Sequence, residues 1–153
     1  MNLDGSWNAK RKVVGFGAVI RGNDGVFVAA HCGSFEHVFS PLQLEAMAVQ
    51  AGLLWAVDRG FSFLLVETDS LHILEALMDS CLNLSIIEQI VEDCKELLAT
   101  ITEATISHTC SQVNVDAHRL NKNGLALGHC SEWLDSPPSI IIDLLVEESH
   151  SSL

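Results

Sequence analysis

The feature that most constrains this chain is the short apolar run at residues 61–68 (FSFLLVET), set between two stretches of helical periodicity. A strand buried on both faces shows no polar alternation. Helix–strand–helix order lets such a strand lie parallel to its neighbours beneath covering helices. The helix before it opens at Ser40 and Pro41, and Gln43 completes a Ser-x-x-Gln capping box. Proline suits the first helical position because the N–H it lacks would have no helical partner there. Leu44, Met47, Ala51 and Leu54 then recur at three- and four-residue spacing, and Gly60 offers the left-handed residue a helix end wants.

Upstream, residues 13–21 (VVGFGAVIR) and 26–32 (VFVAAHC) flank Asn23-Asp24-Gly25, a hairpin signal because Asp and Gly tolerate positive φ. A short strand over residues 2–7 is expected to precede them. Downstream, Asp69 stands at the carboxyl end of the apolar run and can cap a helix reaching about Asp79. Ser85 and Glu88 form a second capping box, followed by a stripe that includes Ile90, Val91, Cys94, Leu97 and Leu98. A fifth strand is expected over residues 104–109 and a helix over 114–127, with Gly128 as its stop. Pro137-Pro138 then breaks the chain before an apolar segment at 140–146. The order β-β-β-α-β-α-α-β-α predicts an α/β domain with a mixed sheet and helices packed on it.

Length and composition fit one such domain. The 153 residues are 48% hydrophobic and 18% charged, too apolar for a disordered chain. The net charge of −12 argues against a general nucleic-acid coat, which needs clustered Lys and Arg. It suits a carboxylate-rich cation site, or a soluble acidic surface. Five scattered cysteines without a CxxC pair, and no apolar leader or membrane-length run, predict reduced thiols in cytosol or nucleus rather than secretion. His31-Cys32, His108-x-Cys110 and His129-Cys130 lack the paired spacing of a structural zinc site.

Three acidic residues sit where a site could form. Asp4 lies in or beside a strand, Glu45 near the start of a capped helix, and Asp69 at a strand end, where open α/β sheets bind ligands. Each has an ordinary structural use too. Asp69 can be an N-cap, Glu45 can sit in the helix dipole, and Asp4 can belong to a frayed terminus.

The pieces Asn2-Leu3-Asp4-Gly5, GFGAVIRGNDGVFV, SPLQLEAMAVQAGLLWA, LLVETDS and Asn114-Val115-Asp116-Ala117-His118 occur in that order. Together they resemble the ribonuclease H type 1 family, and most closely its plant reverse-transcriptase-like branch. The likeness covers about residues 2–127, and the Trp133…Pro137-Pro138 tail is also similar. It implies a ribonuclease H-like domain over residues 1–128, with a five-stranded mixed sheet and helices on both faces. A tail over 129–153 with a short helix would pack on or flank it.

The resemblance also implies a two-metal phosphodiesterase site. Asp4 would bridge both ions, and Glu45 and Asp69 would hold the one nearer the leaving group. Two Mg²⁺, or Mn²⁺, about 3.5–4 Å apart can clamp the attacking and leaving oxygens of an in-line displacement. A fourth acid is expected on the last helix, and His118 stands in its place. Imidazole suits Mg²⁺ less well than carboxylate, and a helix-surface histidine is the alternative use. Asp116 could substitute only through a backbone shift. Ser40, Ser70 and Asn114 are the candidate substrate contacts, though Ser40 and Ser70 are equally good helix caps.

Other positions depart from the pattern. Pro41 and Leu42 replace polar substrate-reading residues, Leu71 replaces a glutamine, and only residues 80–84 separate the second and third helices, so no basic insertion exists. Lys10, Arg11 and Lys12 form the one basic run. The family's lead into the first strand is usually longer, so a fragment, a shortened gene or the end of a polyprotein is expected. The resulting expectation is an endonuclease cutting the RNA strand of RNA–DNA hybrids, monomeric and without a membrane. A weak or inactive domain kept as an interaction module or retroelement remnant is the rival. A related nuclease acting on single strands or structured DNA is the third reading.

Overall fold

The protein was analysed as a computed structural model, which describes residues 1–6, 13–79, 87–110 and 114–151. Trp7, the basic run Lys10–Lys12, the connection 80–84 and Ser85 of the second capping box lie outside the described residues. Six strands form one sheet: β1 (Asn2–Ser6), β2 (Val13–Arg21), β3 (Phe27–Glu36), β4 (Phe63–Thr68), β5 (Glu103–His108) and β6 (Ser131–Leu134). The helices are α1 (Pro41–Asp58), α2 (Leu71–Met78), α3 (Glu88–Thr100), α4 (Val115–Leu127) and α5 (Ile142–Ser151), the last preceded by a 3-10 turn, Ser139–Ile141.

Sheet order is β5-β4-β1-β2-β3-β6. β2 runs antiparallel to β1 and β3, while β4 runs parallel to β1 and β5. Local chemistry explains several boundaries. The β2–β3 turn closes with Gly22 N–H donating to Val26 O at 2.9 Å, and Gly25 takes φ +80°. Helix α1 starts as expected, Gln43 N–H donating to Ser40 Oγ at 3.1 Å, and Gly60 follows its end at φ +76°.

Alternation along β2 divides the core. Ala18 and Ile20 face α1 and α3, packing with Leu3, Val49, Leu53 and Val91. Val19 points the other way and packs with Leu120 of α4 and Ile141. Leu53 and Leu120 are fully buried, each stabilising the fold by about 2 kcal/mol through lost apolar exposure.

Two expectations need correction. The sheet has six strands, not five. Ser131–Leu134 pairs antiparallel with β3 from Cys32 back to Ala29. Glu132 on this strand accepts a hydrogen bond from Trp55 Nε1 at 2.5 Å and pairs with Arg59, clasping β6 to α1. In addition, β4 is buried on one face only: Val66 is enclosed, whereas Phe63 is 71% exposed and Leu65 51%. Helix α4 lies across β1, β2 and β3, and among the described residues no helix packs on that face of β4 and β5.

The β1–β4 ladder reaches back to the first residue. The Met1 ammonium donates to Leu65 O at 2.5 Å, and Met1 O accepts from Glu67 N–H at 2.8 Å. Burial lowers the amine pKa from 8.0 to about 6, against the opposing pull of Glu67 and Asp116. Between these values the unfolded chain binds more protons than the folded one, so stability rises with pH across the window. Urea unfolding is therefore expected to give a stability roughly 2 kcal/mol higher at pH 8 than at pH 6 from this group. Acetylating the amine should remove that increment, and an undiminished pH dependence in the acetylated chain would refute it.

Candidate active site

Glycines on β2 bring α4 down onto the sheet beside Asp4. Gly17 is the antiparallel partner of Asp4. A Cβ on Gly17 would stand 2.3 Å from Ala117 O and 2.6 Å from Asn121 N, distances no side chain tolerates. The helix backbone occupies that space instead. Residues three apart on a helix share a face, so His118 and Asn121 both reach Asp4. His118 Nδ1 lies 2.8 Å from Asp4 Oδ2, and Asn121 Nδ2 donates to the same oxygen at 2.5 Å.

Burial raises the Asp4 pKa. The hydrogen bond with His118 opposes that shift, the charge of Asp69 adds to it, and the Asn121 bond opposes it again. The like-charge effect is thus real but second to desolvation. Asn114 fixes the start of α4 from within. It is wholly buried, and its amide donates to Leu3 O at 2.7 Å.

On the other side of Asp4 stand Glu45 and Asp69. The Ser40 cap sets the start of α1 and so the position of Glu45 on its second turn. Ser70 Oγ donates to Glu45 Oε2 at 2.5 Å. Ser70, rather than Asp69, is the N-cap of α2, accepting from Ile73 N–H at 3.4 Å. Of the two candidate caps it is Ser70 that serves, which leaves Asp69 facing a small cleft. Asp4, Glu45 and Asp69 all line that cleft, with Leu3, Val49 and Thr68 as its walls.

Ser40 and Ser70 therefore serve as caps here, and Asn114 as a buried tie. Asp116 is also committed: it is 2% exposed, ion-paired with Arg21, and accepts from Ala117 N–H at 2.8 Å. The titratable α4 residue at Asp4 is His118, whose side chain is 49% exposed. Asn121 went unnoticed in the sequence, although its place one turn after His118 was a usable signal.

Among the described residues, no three His, Cys, Asp or Glu side chains are drawn together tightly enough to form a metal-binding group. Hydrogen bonds to His118, Asn121 and Ser70 occupy Asp4 and Glu45. The donor chemistry nevertheless fits a hard divalent cation, since three carboxylates line one cleft.

Residues 2–124 match the family described as reverse transcriptase-like. No curated protein matches the sequence. Among solved structures, RNase H1 from the archaeon Halobacterium salinarum is similar at a TM-score of 0.75 and 24% identity, over 82% of this chain and 95% of that one. The N-terminal RNase H domain of a Mycobacterium tuberculosis protein gives 0.70 and 19%, over 82% and 91%. An RNase H1 isolated from compost, solved with an RNA/DNA hybrid, gives 0.70 and 14%, over 82% and 95%. These likenesses establish a ribonuclease H-like fold.

Proposed function

The chain belongs to the reverse transcriptase-like family, and from that premise we propose that it is a metal-dependent endonuclease hydrolysing the RNA strand of RNA–DNA hybrids. The observation that carries this reading is the cleft lined by Asp4, Glu45 and Asp69, with His118 against Asp4 from α4. The solved neighbours named as RNase H1, one of them holding an RNA/DNA hybrid, support it by analogy of fold.

Asp4, Glu45, Asp69 and His118 would hold two Mg²⁺ or Mn²⁺ ions. When bound, such ions polarise the phosphate and lower the pKa of a coordinated water. The protein's own work is positioning. Asn121 and His118 hold the Asp4 carboxylate, and Ser70 holds Glu45, at the cleft. The His118 side chain stays half exposed while it contacts Asp4.

A second reading, a domain of this fold with little or no catalysis, draws on two observations. A histidine stands where an acid would hold a cation, and the net charge of −12 repels a polyanion. A labelled hybrid incubated with Mg²⁺ or Mn²⁺ separates the two. The parent chain is expected to cut the RNA strand faster with Mn²⁺, which accepts imidazole more readily. His118→Asp should raise the Mg²⁺ rate by about tenfold or more, because it restores a hard anionic ligand. Affinity for the hybrid should stay weak in both proteins. Cleavage only after the substitution would mark a silenced nuclease. No cleavage by either would sink the enzymatic reading, and preference for single-stranded or branched DNA would move the substrate within the superfamily.

A further inference from the structure

Two glycines on β2 decide where the Asn121 side chain can reach. A Cβ on Gly15 would stand 2.3 Å from Asn121 O, and one on Gly17 2.6 Å from Asn121 N. The Asn121 backbone therefore sits directly on the strand. The residue is 0% exposed, yet among the described residues no donor reaches its Oδ1. A buried acceptor without a donor costs stability, because the water it gave up has no replacement.

The other end of the carboxamide is engaged. Nδ2 donates to Asp4 Oδ2 at 2.5 Å, and His118 Nδ1 lies 2.8 Å from the same oxygen. Asp4 also lines the cleft with Glu45 and Asp69. Side chains from β1 and α4 thus converge on one point, and the two from α4 stand three residues apart. Helices that hold metal ions use that spacing to aim two ligands at one centre. The described His, Cys, Asp and Glu side chains form no metal-binding group of three. Asn121 adds a third donor at Asp4 from outside those residue types.

The unpaired Oδ1 has a chemical use. The two ends of a carboxamide nearly match in size, so half a turn about the Cβ–Cγ bond exchanges them within the same packing. Nδ2 suits a carboxylate with no cation beside it. Oδ1 suits a carboxylate that holds one, since hard divalent ions accept amide carbonyl oxygens as ligands. Asn114 also carries a buried Oδ1 without a donor. Its Nδ2 bonds the peptide oxygen of Leu3, and turning it over would only set two acceptors face to face.

We propose that Asn121 is a metal ligand. When a divalent cation binds at Asp4, the carboxamide turns over, and Oδ1 joins Asp4 Oδ2 and His118 Nδ1 on one ion. This neutral oxygen stands in for the acid that α4 lacks. The inference rests on the metal-dependent reading of the cleft and adds a ligand to it. It also accounts for an unpaired acceptor in a wholly buried side chain, which gains its partner only in the loaded protein.

Mg²⁺ alone, without nucleic acid, tests the assignment. In the metal-free parent, nuclear magnetic resonance should detect the coupling from Asn121 Nδ2 to the Asp4 carboxyl carbon through their hydrogen bond. Saturating Mg²⁺ should abolish it and leave the Asn114 bond to Leu3 intact. A residue that only oriented Asp4 would keep its bond in the loaded protein. Asn121→Leu preserves the shape and removes both polar atoms, and calorimetry should show Mg²⁺ binding weakened by about tenfold or more. Should that variant fail to fold, the coupling in the parent decides alone. Uptake of Mg²⁺ with the coupling retained, or binding by Asn121→Leu within about twofold of the parent, would overturn the ligand and leave the metal-dependent reading standing. A parent chain that takes up no Mg²⁺ would overturn both.

Discussion

Asp69→Asn is expected to lower cleavage of the hybrid's RNA strand by about a thousandfold, the scale lost when a charged group is removed from a site of this kind. Asp69 is well suited to show this cleanly. It lies just beyond β4, lines the cleft, and is not the cap of α2, since Ser70 performs that role. The amide is nearly isosteric, so the fold should stand. If the proposed site binds Mg²⁺, the ion should raise the parent's melting temperature, because an ion that binds only the folded state stabilises it in proportion to occupancy, and the same variant should lose most of that rise. Single-turnover cleavage and melting curves with and without Mg²⁺ are the measurements. Retained cleavage would remove Asp69 from the site.

Gly17→Ala should have the largest effect on stability of any single methyl addition near the site, about 3 kcal/mol of destabilisation. The added carbon would meet backbone atoms of α4, Ala117 O at 2.3 Å and Asn121 N at 2.6 Å, and backbone cannot swing aside as a flexible side chain can. The helix must lift, and with it His118 and Asn121 leave Asp4. A melting temperature lower by about 9 °C is expected, with Asp4 losing both partners. A variant as stable as the parent would mean that α4 is not seated as described. Gly25→Ala is a useful contrast: it strains a turn at φ +80° but meets nothing within 4 Å, so any loss there is confined to the hairpin.

Much of the fold was legible because its signals are local. Ser40, Pro41 and Gly60 bound α1 by the chemistry of helix ends, and Gly128, left-handed at φ +67°, ends α4 in the same way. The misses share one cause, which is that the deciding partner is distant in sequence. β6 is four residues long, too short for periodicity to declare it, and it exists because β3 offers an edge and Trp55 and Arg59 hold Glu132. Asp69 and Ser70 are equally good caps by type. A contact with Glu45, 25 residues away, accompanies the choice of Ser70. The apolar run of β4 suggested burial on both faces, yet its composition could not reveal that α4 stops short of it.

At the candidate site, the three carboxylates were legible as types at strand and helix ends, and the structure places them along one cleft. What was not legible is the set of neutral groups that hold them. Asn121 and Ser70 orient Asp4 and Glu45, and Arg21 takes Asp116 out of contention. Buried Asn114 ties α4 to β1 through a backbone carbonyl that no sequence pattern marks.

The strand order also sets the sequence of events by which the chain can assemble. The hairpin of β2 and β3 is local and can form as soon as it leaves the ribosome. Its neighbour β1 is made first but pairs on its other side with β4, Met1 meeting Leu65 across 64 residues of chain. β3 waits longer still, for β6 to close its outer edge. Pairings of such span make loop closure, rather than local propensity, the slow part of folding. Until β6 docks, β3 presents an unpaired edge, so the nascent domain is most prone to strand-to-strand association before residues 131–134 are in place.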